Sequence, residues 1–220
     1  VTGRHHSAGA YRLLQEAQAT GIAVIEIWDH ALQPGAPGEF AQIGFNHVAV
    51  GRAMAAHLLE RGHTSLAYVD SGVAEDYRAH ERGEGFVAQA RAAGARVTVQ
   101  HAATGDAFDA GRGIFDALRN ATSAHITAAA FANDQLACGM LMEAQDRGVA
   151  VPGELALLGF GDFPLGRQMR PALSTVRPPR AEIGRAAAAA VLRSMATQES
   201  AQSSALPWAL ISRQSTDVWR

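Results

Sequence analysis

Short apolar runs alternate with amphipathic stretches along most of the 220 residues, and that alternation restricts the fold more than any other feature. Residues 22–27 (IAVIEI), 65–69, 128–131 and 155–160 are brief and mostly apolar, the pattern of strands buried on both faces. Between them lie segments with apolar residues at helical spacing: Val50, Met54, Leu58 and Leu59, then 85–93, 107–118, and 133–147. Gly62, Gly94 and Gly148 stand where a left-handed residue closes a helix, and Asn46 and Asn133-Asp134 stand where caps open one. Further strands are expected around Val97 and Val99, at 173–176 and at 208–212. An Ala-rich helix is expected at 180–195, a loop at 33–38 and a polar connection at 198–204. Strand and helix alternating at this spacing require right-handed crossovers and parallel sheet. Ligands of such sheets sit beyond the carboxyl ends of the strands, so polar residues just after strands are the ones to weigh.

Composition enters by exclusion. All 19 basic residues are Arg, so a phosphate loop that needs its Lys, or a Schiff-base enzyme that needs an amine, cannot be built. A formal net charge of −2 argues against this segment itself binding nucleic acid. The single Cys138 rules out an intramolecular disulfide and fits a reducing cytoplasm. The nine His are scattered without ligand spacing, so no metal and no cofactor is expected. There is no Gly-x-Ser-x-Gly elbow, and an enzyme is not expected. No apolar run has the length of a membrane span. Val1-Thr2-Gly3 reads as the end of a strand, which leads to the expectation that residues lie upstream.

Six ordered motifs carry a resemblance. They are Leu58-Leu59-Glu60-Arg61-Gly62-His63 with Leu66-Ala67-Tyr68-Val69; Arg82-Gly83-Glu84-Gly85-Phe86; and Asn133-Asp134-Gln135-Leu136-Ala137-Cys138-Gly139. They continue with Gly148 to Pro152 leading into Gly159-Phe160-Gly161-Asp162, then Pro171-Ala172-Leu173-Ser174-Thr175-Val176, then Leu210 to Thr216. In this order they resemble the effector-binding part of LacI/GalR-family regulators. The Thr2–Ser7, Glu26–Asp29 and Gly159–Phe163 segments are similar to the gluconate-regulator branch. The resemblance implies an α/β, two-lobed type I periplasmic-binding-protein-like fold, with parallel sheets flanked by helices and truncated at its N-terminus. Residues 1–62 and 178–197 would be what remains of the N-terminal lobe, and 63–177 with 205–220 the C-terminal lobe. It also implies a small-molecule effector, a sugar or sugar acid, and a homodimer. Operator DNA would be bound through a helix-turn-helix that this chain lacks. A solute-binding protein of a sugar uptake system shares the fold and is the rival reading.

The candidate ligand residues follow. Arg82 matches the family's effector-holding Arg, and its planar fork suits carboxylates and vicinal oxygens; otherwise it is a surface Arg on a helix. Asn133 matches an effector-contacting Asn whose amide both donates and accepts, and it would serve equally as a helix cap. Gly161 stands where many sugar-binding relatives carry an Asp, with the carboxylate one residue later at Asp162; losing that charge favours an anionic ligand, unless Gly161 only permits a turn. His6 could donate to a carboxylate or hydroxyl, or be loose at the chain end. Asp29 and Trp28 follow a strand and could face the cleft, where an aromatic could stack on a sugar face, though a packed Trp is at least as well explained; Phe108 is similar, with core packing favoured.

Overall fold

The computed structural model describes residues 1–30, 40–120, 125–197 and 199–217; the expected loop at 33–38 and the start of the polar connection at 198 lie outside them. The chain divides into two compact units, Val1–Asn46 with Pro179–Trp208, and His47–Pro178 with Ala209–Arg220. The division falls at Asn46–His47, whereas the resemblance implies a boundary at residue 62.

Unit one holds α1 (Ala8–Ala19), β1 (Ile25–Asp29), β2 (Ala41–Phe45), α8 (Arg180–Thr197) and β8 (Ser204–Ala205). Its strands form a parallel sheet in the order β1-β2-β8, and residues 1–3 bond to the free side of β1. Ser7 caps α1 by accepting from the Ala10 amide. The sequence pattern had signalled neither α1 nor β2. Helix α1 has an apolar stripe of Ala10, Tyr11, Leu14 and Ala17 that is only half-buried and went unread, and β2 is interrupted by Gln42 and Gly44.

Unit two holds α2 (His47–Leu59), β3 (Ser65–Asp70), α3 (Tyr77–Ala92), β4 (Arg96–His101), α4 (Ala107–Gly113), α5 (Phe115–Arg119), β5 (Ala128–Phe131), α6 (Asp134–Asp146), β6 (Ala156–Phe160), α7 (Pro164–Gln168), β7 (Ser174–Arg177) and β9 (Ala209–Ile211). The sheet runs β4-β3-β5-β6-β7-β9, parallel except for the antiparallel β7–β9 pair. Every residue of β3 and β5 is buried, as their unbroken apolar character requires. Helix α2 belongs here because glycines let it lie directly on α3: a Cβ on Gly51 would overlap the Arg82 carbonyl, and one on Gly85 the Val48 carbonyl. Gly111 and Gly139 allow α4 and α6 the same approach. Asp76 caps α3 two turns earlier than the apolar spacing indicated, because the first turns carry polar residues. Gly62, Gly94 and Gly148 all have positive φ, the left-handed closure expected of them.

The C-terminal segment pins unit two together. Ser215 Oγ donates to the Leu157 carbonyl at 2.6 Å and accepts from the Ser174 amide at 2.8 Å. His57 Nε2 meets Thr216 Oγ1 at 2.9 Å, and Arg61 pairs with Asp217 at 2.8 Å. Burial, with Arg61 alongside, lowers the His57 pKa to about 4.

Candidate functional site

The carboxyl ends of β5 and β6 are where a doubly wound sheet presents a ligand, and in unit two Arg82 reaches them from α3. Arg82 as a whole is 4 % exposed. Nη2 donates to the carbonyl of Ala132, just past β5, at 2.9 Å, and Nη1 donates to His47 Nδ1 at 3.0 Å. The plane lies over the Phe160 ring at the end of β6, with 4.0 Å from Cζ to the centroid. Because Arg only donates, His47 Nδ1 is the bare acceptor and its proton sits on Nε2. Arg82 Nε is buried and meets no acceptor within hydrogen-bond geometry among the described residues, while the buried Tyr68 hydroxyl also lies against this guanidinium. A buried donor left unpaired costs about 1–3 kcal/mol, and a ligand acceptor would remove that cost.

Asn133, beside Ala132, has extended backbone, and its side-chain oxygen accepts from the Leu136 amide at 2.9 Å, capping α6. The oxygen being committed, any reading of a ligand falls to the amide nitrogen. The next residue, Asp134, turns inward: its carboxylate accepts from Thr175 Oγ1 at 2.6 Å and from the Phe163 amide at 2.7 Å. Burial raises its pKa against the pull of those two bonds. Gly161 has φ +137°, a left-handed conformation that a side chain strains, and its amide donates to the Val176 carbonyl at 2.8 Å.

Asp162 is placed differently from the sequence expectation. Its carboxylate is spent inside the protein on Arg167, Arg177 and Arg213, at 2.9, 2.5 and 2.5 Å. Desolvation alone would raise its pKa, but hydrogen bonds from Arg213, Arg177 and Arg167 hold it far below the usual carboxylate range. Phe108 packs against the hydrophobic core of unit two. His6 and Asp29 lie in unit one. There His6 Nε2 meets Glu26 Oε1 at 2.9 Å, and Glu26 Oε2 accepts from Gln42 Nε2 at 2.9 Å. Asp29 ends β1 and is buried; it does not follow the strand.

Unit two therefore brings Arg82 and Asn133 to the tips of adjacent strands. His47 and Phe160, its partners there, were not picked out beforehand. Phe160 sits inside a motif quoted only for its glycines, and His47 opens α2 with no spacing to distinguish it. A groove of about 440 Å³ in the same unit, lined by Asp70, His80, Val87, Ala88 and Val99 among others, does not include Arg82. No group of three or more His, Cys, Asp or Glu among the described residues has the arrangement of a metal site.

The model of the periplasmic binding protein-like domain matches residues 55–216. This chain belongs to that family. Among curated relatives, the HTH-type transcriptional regulator GntR of Pseudomonas aeruginosa is 35% identical over 98% of this chain and 61% of its own length. The chain thus spans about three-fifths of that relative. A LacI-family regulator from Silicibacter pomeroyi superposes with a TM-score of 0.87 at 27% identity, over 99% of this chain and 64% of the other. The transcription regulator GntR from Chromobacterium violaceum does so with 0.83 at 28%, over 98% and 77%. The relatives and solved structures to which the chain is similar are transcriptional regulators, GntR and members of the LacI family among them.

Proposed function

We propose that this periplasmic binding protein-like domain is the effector sensor of a cytoplasmic, homodimeric transcriptional regulator. It takes a small polyhydroxylated compound, a sugar or a sugar acid such as gluconate, at the strand tips of unit two. A helix-turn-helix outside this chain makes the contact with operator DNA. The effector changes the affinity for DNA only to the extent that it favours one conformation of the regulator over the other. The observation that supports this reading is Arg82: a guanidinium fixed by Ala132, His47 and Phe160, with a buried Nε still lacking an acceptor. A hydroxyl or carboxylate oxygen supplies what that donor needs, and Asn133 follows directly on Ala132, whose carbonyl Arg82 holds.

A thermal-shift panel of sugars and sugar acids on the 220-residue chain tests it. A ligand at a hundred times its Kd should stabilise the fold by about 2.7 kcal/mol. Arg82→Ala should abolish the shift. A panel with no stabilising member, or a shift untouched by Arg82→Ala, contradicts the reading.

A further inference from the structure

Three guanidinium groups converge on one carboxylate at the ends of β6 and β7. Asp162 Oδ1 accepts from Arg213 Nη2 at 2.5 Å and from Arg167 Nε at 3.2 Å. Oδ2 accepts from Arg177 Nε at 2.5 Å and from Arg167 Nη2 at 2.9 Å. One negative charge therefore faces three positive ones. Asp134 is the next acid along, and its carboxylate oxygens are taken by Thr175 Oγ1 and the Phe163 amide, not by these arginines. No Asp or Glu occurs between Asp162 and Glu182, so the chain supplies no second carboxylate from the segment that carries Arg167 and Arg177.

The arginines differ in what they have left to give. Arg213 is largely buried and spends Nη1 on the Leu173 carbonyl at 2.8 Å. Arg167 and Arg177 are each 49 % exposed. Arg177 uses only Nε on Asp162, so its Nη1–Nη2 edge, which can present two parallel N–H groups, has no protein partner among the described residues; Nη1 of Arg167 has none either. Asp162 itself is buried, with φ +52° in the left-handed region that a side chain rarely adopts. A buried carboxylate held in a costly conformation fixes two long side chains that would otherwise wander.

We infer that Asp162 orients Arg167 and Arg177 into an oxyanion site, which takes the carboxylate or phosphate group of an acidic effector. The inference rests on the proposed effector sensing by unit two and gives that effector a charge. It also accounts for Gly161, since a carboxylate at that position would stand next to the incoming anion.

Isothermal titration calorimetry of the 220-residue chain with D-gluconate, D-glucose and inorganic phosphate, at low and at physiological salt, tests it. Arg177→Gln should weaken gluconate binding about tenfold or more and leave glucose binding within about twofold. Arg177→Lys, which keeps the charge and loses the fork, should fall between the two. Phosphate that binds the wild type and not Arg177→Gln, with gluconate silent, assigns the site to a phosphate group. Gluconate and phosphate affinities equal in wild type and Arg177→Gln overturn the inference. Should Arg177→Gln fail to fold, Arg167→Gln, on the short half-exposed α7, carries the same expectations. Arg82→Ala separates the two proposals. If it weakens both sugar and acid while Arg177→Gln weakens neither, the effector site stands and the oxyanion site falls. If Arg82→Ala changes nothing while Arg177→Gln weakens gluconate, the outcome is the reverse. Absence of binding by all three probes counts against both.

Discussion

Helix α6 of unit two is a core element, whereas the Ala-rich α8 of unit one is not. Of its 13 residues α6 buries eight, Leu136, Met140 and Leu141 among them, whereas α8, with 18, buries only Ile183. The difference lies in their neighbours. Helix α6 packs on α4, on β5 and on β6 of a six-stranded sheet; α8 packs on β1 and β2 of a three-stranded one. Unit one accordingly leaves Leu13, Ile22, Leu192 and Met195 exposed at 60 % or more, while unit two encloses one continuous hydrophobic cluster. Helix propensity makes both helices, but only the sheet beneath decides which side chains leave water.

That contrast yields predictions of decreasing size. Phe131→Ala, in the fully buried β5, should destabilise unit two by about 3–5 kcal/mol in urea unfolding, while Leu192→Ala, exposed on α8, should stay within about 0.5 kcal/mol. Equal effects would mean that the two units do not differ as their burial indicates.

Acidification should also act on unit two. His57 is neutral when folded, with its pKa lowered to about 4 by burial and Arg61, and it would charge at about 6.5 when unfolded. The unfolded chain thus binds the extra proton, and stability is complete above pH 6.5 and falls as pH drops from 6.5 towards 4. His63, also lowered by burial, adds a loss of the same sign, and the paired Asp162 and Asp217 titrate below this window. Thermal midpoints at pH 7 and pH 5 check this: the fall should be smaller in His57→Gln than in wild type, and equal falls would contradict it.

Glycine substitutions sharpen the comparison with smaller effects. Gly51→Ala must push α2 away from the Arg82 carbonyl and should cost about 1–3 kcal/mol. In α8, a Cβ on Gly184 meets nothing within 4 Å, so Gly184→Ala should stabilise by about 0.4–1 kcal/mol. A destabilising Gly184→Ala would show that α8 has a packed face after all.

What could be read in the residues follows the same division. The strands of unit two announced themselves because β3, β5 and β6 are buried on both faces, and the glycine stops fell where φ turns positive. In unit one the strand at 22–27 and the Ala-rich helix at 180–195 could be read, but α1, none of whose residues is fully buried, and β2, interrupted by Gln42 and Gly44, could not. Arg82 and Asn133 could be singled out by motif and by place after a strand. The partners of Arg82 could not, because His47 is distant in sequence and meets Arg82 only when Gly51 and Gly85 bring α2 onto α3. Asp162 shows the limit of motif reading: the residue type suits a ligand, but three distant or unremarkable arginines claim its carboxylate.

The buried Nε of Arg82 is the donor on which effector binding depends, and a crystal structure of the chain with a ligand from the thermal-shift panel addresses it directly. A ligand oxygen at about 2.7–3.2 Å from that nitrogen, at the tips of β5 and β6, is the predicted result. A stabilising ligand seated elsewhere, with Nε still unpaired or bound only to water, would contradict it.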